Sequence, residues 1–273
     1  MLSTRCYRVL ILLGFLVIVP SFASASPIVF SDFGSDAASI LDTVTAFRGA
    51  IGGANNGVAP GSFGTGRREI GWDGGGAAAP VLVDMPKDLF QNRGAQFSPA
   101  TTTFSISGAP DPRFGNINPT YTNTFKAFSE PRLFAPTNSI VTEQTFSVPG
   151  SKLPATSTAF GAVFTNVELA NTTSIKYLGQ GNRLLGTFSA QPAAGGLSFL
   201  GVAFNQGERI DKVVITTGNA VLGPNNGGGI NVVAMDDFIY AEPQAAAEPS
   251  TLLLLGSGLF GLLYGRKRWA ASR

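Results

Sequence analysis

Apolar and polar residues alternate in short runs over most of the chain, and clusters of Gly, Asn and Pro separate the runs. Alternation with a period of two is typical of a β-strand with one buried face. Nine segments show this pattern: PIVF, TTTFSIS, SIVTEQTFSV, FGAVFTNVEL, TSIKYL, LLGTFSA, LSFLGVAF, RIDKVVITT and NVVAMDDFIYA. The loops between them include GGANNG and GPNNGGG, whose Gly and Asn accept positive φ. The pattern predicts a mainly β protein, an antiparallel β-sandwich of jelly-roll-like type.

One segment, SDAASILDTVTAFRGAIGG, departs from this alternation. Its apolar residues recur at intervals of four, three and four, at Ile40, Val44, Phe47 and Ile51. This spacing predicts an amphipathic helix that packs its apolar stripe on the sandwich. Ser39 and Asp42 have the spacing of a capping box, and the glycines at 52 and 53 can end the helix.

The first 25 residues have the pattern of a signal peptide. Arg5 and Arg8 precede an apolar run, residues 9–19, which is about half as long as the roughly 20 residues that a membrane span requires. Ala23 and Ala25 then form the small-x-small motif that signal peptidase accepts, which predicts cleavage after Ala25. Cys6 is the only cysteine and would leave with this signal helix. The exported domain, residues 26–247, therefore has no disulfide.

The other end of the chain carries a short apolar segment, Leu252–Tyr264, followed by Arg266, Lys267 and Arg268. As a helix, these 13 residues would be about 20 Å long, against a hydrocarbon core of about 30 Å. The basic residues favour the cytoplasmic side of the membrane. A short hydrophobic helix of this kind is typical of a removable sorting signal. The alternative is an ordinary anchor helix, with Gly261 and Gly265 as its packing face.

Residues 248–273 resemble the PEP-CTERM sorting domain of Gram-negative bacteria, which exosortase recognises and cuts. The resemblance rests on Glu248, Pro249, Ser250, the leucine run at 252–255, Arg266, Lys267 and Arg268. Ala247 stands where the family has the first proline of Pro-Glu-Pro. The resemblance implies export across the inner membrane, transient tethering by the C-terminal helix, and final display at the cell surface or release outside the cell. The implied partners are signal peptidase, exosortase and exopolysaccharide.

Charge and composition exclude several classes of function. Residues 26–247 contain 13 basic and 16 acidic side chains, so they offer no basic face for nucleic acid. The chain contains 0 histidines, which excludes Ser-His-Asp and Cys-His catalysis and any histidine-bearing zinc site. We therefore expect no enzyme. The alternative is a secreted carbohydrate-active enzyme that uses a pair of Asp or Glu residues.

Two adjacent carboxylates, Asp236 and Asp237, lie within the apolar strand NVVAMDDFIYA. Buried charges require a partner, because the loss of hydration is costly. One interpretation pairs them with Arg209 or Lys212 on the preceding strand, or lets a bulge release one of them to solvent.

The other interpretation is a structural calcium site, since oxygen ligands suit a chain without His or mature Cys. An Asp-Asp pair on the last strand is similar to the calcium site of jelly-roll carbohydrate-binding modules, which an acid from the first strand completes. The resemblance implies a calcium site at Asp236 and Asp237, with Asp32 or Asp36 supplying the acid from the first strand.

The segment RREIGWDGGG places Trp72 and Asp73 ahead of three glycines. A tryptophan beside flexible backbone can stack on a sugar ring, although a core position at a strand end is the alternative. Together these features predict that residues 26–247, which we call the body, form a structural module or a module that binds a carbohydrate or another ligand. The exported domains that accompany this sorting signal resemble the body in GRREIGWDGG and VVAMDDFIY, but they imply no activity.

Overall fold

The computed structural model describes residues 27–246. The strands are β1 (Ile28–Gly34), β2 (Arg67–Ile70), β3 (Leu82–Val83), β4 (Ala95–Ser98), β5 (Phe104–Ile106), β6 (Phe134–Pro136), β7 (Val141–Ser147), β8 (Pro154–Thr156), β9 (Ala159–Val167), β10 (Ser174–Gly179), β11 (Arg183–Ser189), β12 (Ala193–Ala203), β13 (Lys212–Thr216), β14 (Ala234–Ala241) and β15 (Gln244–Ala245). Each of the nine predicted segments contains a strand, and six of the described strands were not predicted: β2, β3, β4, β6, β8 and β15. The helices are α1 (Ala37–Ile51) and α2 (Tyr121–Thr124), with 3-10 turns at Gln91–Arg93 and Gln180–Asn182.

The strands form two antiparallel sheets, which confirms the predicted sandwich. The first sheet has the order β1-β12-β9-β14-β6-β5-β3, and β2 also pairs with β14. The second sheet has the order β11-β10-β13-β7-β8-β15, and β4 also pairs with β7. A large core of aromatic and aliphatic side chains lies between them, including Phe97, Phe134, Phe160, Phe238 and Tyr240.

The central strands of the first sheet are buried on both faces, because a second layer covers the sheet from outside. All residues of β9 and β14 are buried. One outer cluster packs α1 against Val163, Phe199 and Ile239. Gly161 and Gly201 face each other across β9 and β12, and a Cβ on either would meet the ring of Phe47 at 2.9 to 3.0 Å. This glycine pair therefore lets the helix approach the sheet closely.

Helix α1 buries Ile40, Val44 and Phe47, which confirms the predicted apolar stripe. Its N-terminus lies three residues before the predicted cap: Asp36 is the N-cap, and its carboxylate accepts a hydrogen bond from the Ser39 amide at 3.0 Å. The predicted capping box at Ser39 and Asp42 is therefore wrong. The Asp36 carboxylate already accepts from one of the N–H groups that have no partner within the helix, as an N-cap residue does. The helix ends at Gly52, whose φ is 76°.

Within residues 27–246, no helix combines the length and the apolar character that a membrane crossing requires. The predicted signal helix, its cleavage residues Ala23 and Ala25, and the C-terminal sorting helix lie outside the described residues. The same is true of Glu248, Pro249, Ser250 and the basic triplet.

Candidate functional site

A cavity of about 530 Å³ opens beside the end of β2. Its walls combine apolar residues with a few polar ones: Val58, Leu82, Leu89, Phe90 and Ile106, and Asp73, Asn92, Arg93 and Arg132. We call it the Trp72 cavity, because Trp72 also lines it. Its volume and its mixed lining are typical of sites for small ligands.

Trp72 itself is part of the core and is only 3% exposed. Its ring stacks on Phe134 with centroids 4.0 Å apart, and the edges of Phe90 and Phe238 approach at 5.2 and 5.1 Å. Its indole Nε1 donates a hydrogen bond to the Asp236 carbonyl at 3.0 Å. The ring therefore packs as a core residue at a strand end, and it is not presented as a platform for a sugar.

Two arginines line the Trp72 cavity with different roles. Arg132 is buried, and its guanidinium donates to the carbonyl oxygens of Ser107, Gly74 and Pro80. Burial lowers the pKa of Arg132, and the nearby charge of Asp73 opposes that effect. Arg93 has one side-chain hydrogen bond within the described residues, from Nη1 to the Glu69 carbonyl at 2.7 Å. Arg93 therefore keeps guanidinium donors for a ligand.

The acidic pair of β14 lies directly behind this cavity, at an irregularity in the ladder with β9. The register runs from Met235 opposite Phe164 to Phe238 opposite Ala162, so two residues of β14 oppose one residue of β9. This is a β-bulge, a feature that redirects side chains. Met235 and Phe238, on either side of it, both belong to the core between the sheets. Strict alternation is therefore interrupted by a bulge, which was one predicted alternative, but the bulge releases neither carboxylate to solvent, since Asp236 and Asp237 are both buried.

The bulge directs both carboxylates to Ser129, which also contacts Asp73. The Ser129 hydroxyl lies 2.7 Å from Asp73 Oδ2, 2.6 Å from Asp237 Oδ1 and 3.4 Å from Asp236 Oδ1. The backbone amides of Phe128 and Ser129 donate to Asp236 Oδ2 at 2.6 and 3.1 Å. We call these residues, Asp73, Ser129, Asp236 and Asp237, the Ser129 cluster. A hydroxyl donates one proton, so it cannot serve three carboxylate oxygens at once.

Burial changes the protonation of the two aspartates. It raises the pKa of Asp237 to about 6, although the Ser129 hydroxyl and Arg48 act in the opposite direction. Burial and then the neighbouring charge of Asp237 raise the pKa of Asp236 well above its usual value, against the Phe128 and Ser129 amides. The pair therefore takes up a proton more readily than exposed aspartates do.

The cation nearest to this pair comes from helix α1. Arg48 Nη2 lies 3.6 Å from Asp237 Oδ2 and 2.7 Å from Glu69 Oε2. Burial favours a higher pKa for Glu69, but hydrogen bonds from Arg48 and Arg67 outweigh it and lower that pKa. Arg48 therefore bridges the helix, β2 and the bulge of β14.

The predicted partners of the aspartates, Arg209 and Lys212, are wrong. Arg209 donates to Thr156, and Lys212 lies 3.4 Å from Glu143. The reason is topological, because β13 belongs to the second sheet although it precedes β14 in the sequence. Sequence reasoning had no signal for Arg48, Ser129 or Arg93, which come from distant segments.

The structure does not bring the predicted calcium set together. Asp32 accepts a hydrogen bond from Thr43 at 2.6 Å, and Asp36 caps α1. Asp36 lies 12 residues before Arg48 along the helix, about 18 Å at 1.5 Å per residue. Among residues 27–246, no group of three or more acidic residues is arranged to hold a metal ion. We expect the ion-pair interpretation to hold at Asp237, with Arg48 as the partner, and calcium at Asp236 and Asp237 stays the alternative.

Comparison with known families identifies the C-terminal segment. Residues 248–268 match the PEP-CTERM protein-sorting motif. A comparison of the chain with curated proteins finds no match. The fold and the motif together define a mainly β protein that carries an exosortase sorting signal. This C-terminal motif supports an exported protein that exosortase processes, with transient anchoring in the membrane before display at the cell surface.

Proposed function

We propose that the body is a binding module of the cell surface, which takes a carbohydrate carrying an acidic group in the Trp72 cavity. The observation that carries the proposal is the lining of this cavity. Leu82, Leu89 and Phe90 offer apolar surface to the C–H groups of a sugar ring. Arg93 offers guanidinium donors with the geometry to bind a carboxylate.

The charge of the cavity favours an anionic ligand. Arg93 and Arg132 contribute two positive charges, and Asp73 is the only acidic residue of the lining within the described residues. The Asp73 carboxylate already accepts hydrogen bonds from the Arg132 amide and the Ser129 hydroxyl. An acidic exopolysaccharide is a partner of suitable chemistry for a protein displayed outside the cell.

The same lining supports binding over hydrolysis. A glycosidase requires two carboxyl groups about 5 to 10 Å apart that flank the scissile bond. Asp236 and Asp237 lie behind Asp73 and are buried against Ser129, so they do not line the cavity. The alternative function, a secreted carbohydrate-active enzyme, would release new reducing ends from its ligand, whereas a binding module would not.

Binding of uronate-containing oligosaccharides to the purified mature protein tests the proposal, with neutral oligosaccharides of the same length for comparison. Arg93→Gln should weaken binding of the acidic ligand about 10- to 100-fold, because hydrogen bonds to charged groups contribute about 1.5 to 3 kcal/mol. Arg183→Gln is the matched control, since Arg183 is exposed on β11 in the second sheet. Equal affinities of Arg93→Gln and the unchanged protein would refute the assignment.

A further inference from the structure

The last described residues, 242–246, are hydrogen-bonded to the rest of the body at several points. The Glu242 side chain accepts hydrogen bonds from Arg68 at 2.7 and 2.8 Å. The Ser62 hydroxyl donates to the Pro243 carbonyl at 2.6 Å, and β15 pairs with β8. The Ala246 amide donates to the Pro154 carbonyl at 3.0 Å. The chain is therefore held by the body up to residue 246, and the sorting motif begins at residue 248.

This attachment limits how far the body can lie from the membrane before processing. The apolar segment of the tail begins at Leu252, six residues after Ala246. At about 3.5 Å per residue, a fully extended chain of six steps reaches about 20 Å. While the tail anchors the precursor, the edge of the body at β15 therefore stays within about 20 Å of the first residue of the apolar segment.

Two exposed apolar side chains flank the point at which the chain leaves the body after Ala246. Leu153 is 64% exposed and Phe63 is 43% exposed. Leu153 directly precedes Pro154, the residue that binds Ala246, and the Phe63 carbonyl accepts a hydrogen bond from Gln244 at 2.5 Å. Lys152, next to Leu153, is also exposed. We call Phe63, Lys152, Leu153 and Pro154 the exit face.

We propose that the exit face is a membrane-docking surface, which rests on the outer side of the inner membrane until exosortase removes the tail. Leu153 and Phe63 suit the apolar part of the lipid interface, and Lys152 suits anionic headgroups. Isolated exposed apolar residues are common on protein surfaces. Here they surround the point from which a membrane-anchored segment leaves the body, and the short tether makes docking an intramolecular event with a high effective concentration.

Two apolar side chains and one lysine hold a lipid surface only weakly by themselves. The docking therefore depends on the tether, and cutting the tail removes both the anchor and the effective concentration. This predicts an orientation of the precursor in which the β15 edge of the second sheet faces the bilayer. The opposite edge, β11, lies five strand spacings away, about 24 Å at about 4.8 Å each.

Fluorescence from single labelled cysteines in the full chain tests this orientation. Cys6→Ser removes the only native cysteine. Leu153→Cys and Phe63→Cys then carry an environment-sensitive dye on the exit face. Leu184→Cys is the matched control, because Leu184 is 59% exposed and lies on β11 at the far edge of the same sheet. The precursor is reconstituted in vesicles of phosphatidylethanolamine and phosphatidylglycerol that contain nitroxide-labelled lipid.

The expected result is blue-shifted emission and quenching by the nitroxide lipid at positions 153 and 63, and neither effect at position 184. The Phe63 ring lies 5.6 Å from the Arg68 guanidinium, so replacing Phe63 can affect folding. The result at Leu153→Cys is therefore the decisive one. Absent quenching at position 153 in vesicle-bound precursor, or equal quenching at positions 153 and 184, overturns the inference.

A second experiment separates the lipid from a protein occupant. With exosortase present in the vesicles, a blue shift at position 153 that lipid nitroxide does not quench would assign the face to the protease and overturn docking on lipid. A chain ending at residue 247 should show no quenching at position 153. Equal quenching without the tail would show that the tether does not hold this face to the bilayer, and the inference would fail.

Discussion

The ion pair between Arg68 and Glu242 offers the sharpest test of how the body is held together. Their side chains are 0% and 2% exposed. The Glu242 carboxylate accepts two hydrogen bonds from Arg68, one from Asn56 at 2.8 Å and one from the Phe63 amide at 3.3 Å. The remaining Arg68 donors bind carbonyl oxygens of the loop that precedes β2, including those of residues 57, 59 and 61.

Glu242→Gln keeps the shape of the side chain but removes its charge. Its amide nitrogen must then face an N–H donor of Arg68 or Asn56, and the Arg68 charge stays buried without an anion. Breaking a buried ion pair in this way costs about 3 to 5 kcal/mol. With an unfolding slope of about 3 kcal/mol per molar urea, the urea midpoint should fall by about 1 to 1.7 M. The melting temperature should fall by about 6 to 20 °C, at about 2 to 4 °C per kcal/mol.

Urea titration of residues 26–247, followed by tryptophan fluorescence and circular dichroism, measures this loss. Glu143→Gln is the matched control, because Glu143 pairs with Lys212 at 3.4 Å with side chains that are 27% and 22% exposed. A pair this exposed contributes less than about 1 kcal/mol. If Glu242→Gln shifts the midpoint no more than Glu143→Gln does, the Arg68–Glu242 pair is not desolvated as the structure describes.

Four further outcomes are expected. Intact mass of the protein from an exosortase-bearing host should show loss of residues 1–25 and of the tail after 248–249, whereas a retained apolar segment would identify an anchor. The pKa of Asp237 is raised from 3.8 to about 6, so its stabilising contribution is complete below pH 3.8 and is lost as the pH rises through about 6. The urea midpoint of the unchanged protein, relative to that of Asp237→Asn, should therefore fall between pH 4 and 7. A difference between the two midpoints that does not change with pH would contradict this. Melting curves in calcium and in chelator should coincide, because Arg48 already lies beside Asp237, and a calcium-dependent rise that Asp237→Asn abolishes would establish the metal. Gln144→Met should raise the free energy of unfolding by about 1 to 3 kcal/mol, because both amide atoms of Gln144 are buried without a hydrogen-bond partner among residues 27–246, and a loss of stability would contradict that reasoning.

The class of the fold and the buried face of helix α1 can be predicted from the sequence alone. All nine alternating segments contain strands, and Ile40, Val44 and Phe47 of α1 are buried as their spacing predicts. These features depend on residues close together in the chain, where side-chain periodicity directly reflects the backbone conformation. The sorting motif was equally visible, because a contiguous segment carries it. The shortest strands, such as β3 and β15 with two residues each, are too short for a periodic pattern.

The contacts between distant side chains, in contrast, depend on the tertiary structure. Asp237 is paired with Arg48, 189 positions earlier in the chain, instead of with a residue of the preceding strand, because that strand belongs to the other sheet. The bulge turns Asp236 and Asp237 together towards Ser129, although strict alternation separates them. Sheet order and bulges arise from packing between distant segments, which a local pattern does not encode. The Trp72 cavity could not be predicted from the sequence for the same reason. Its walls come from separate loops and strands and form only when the two sheets pack together.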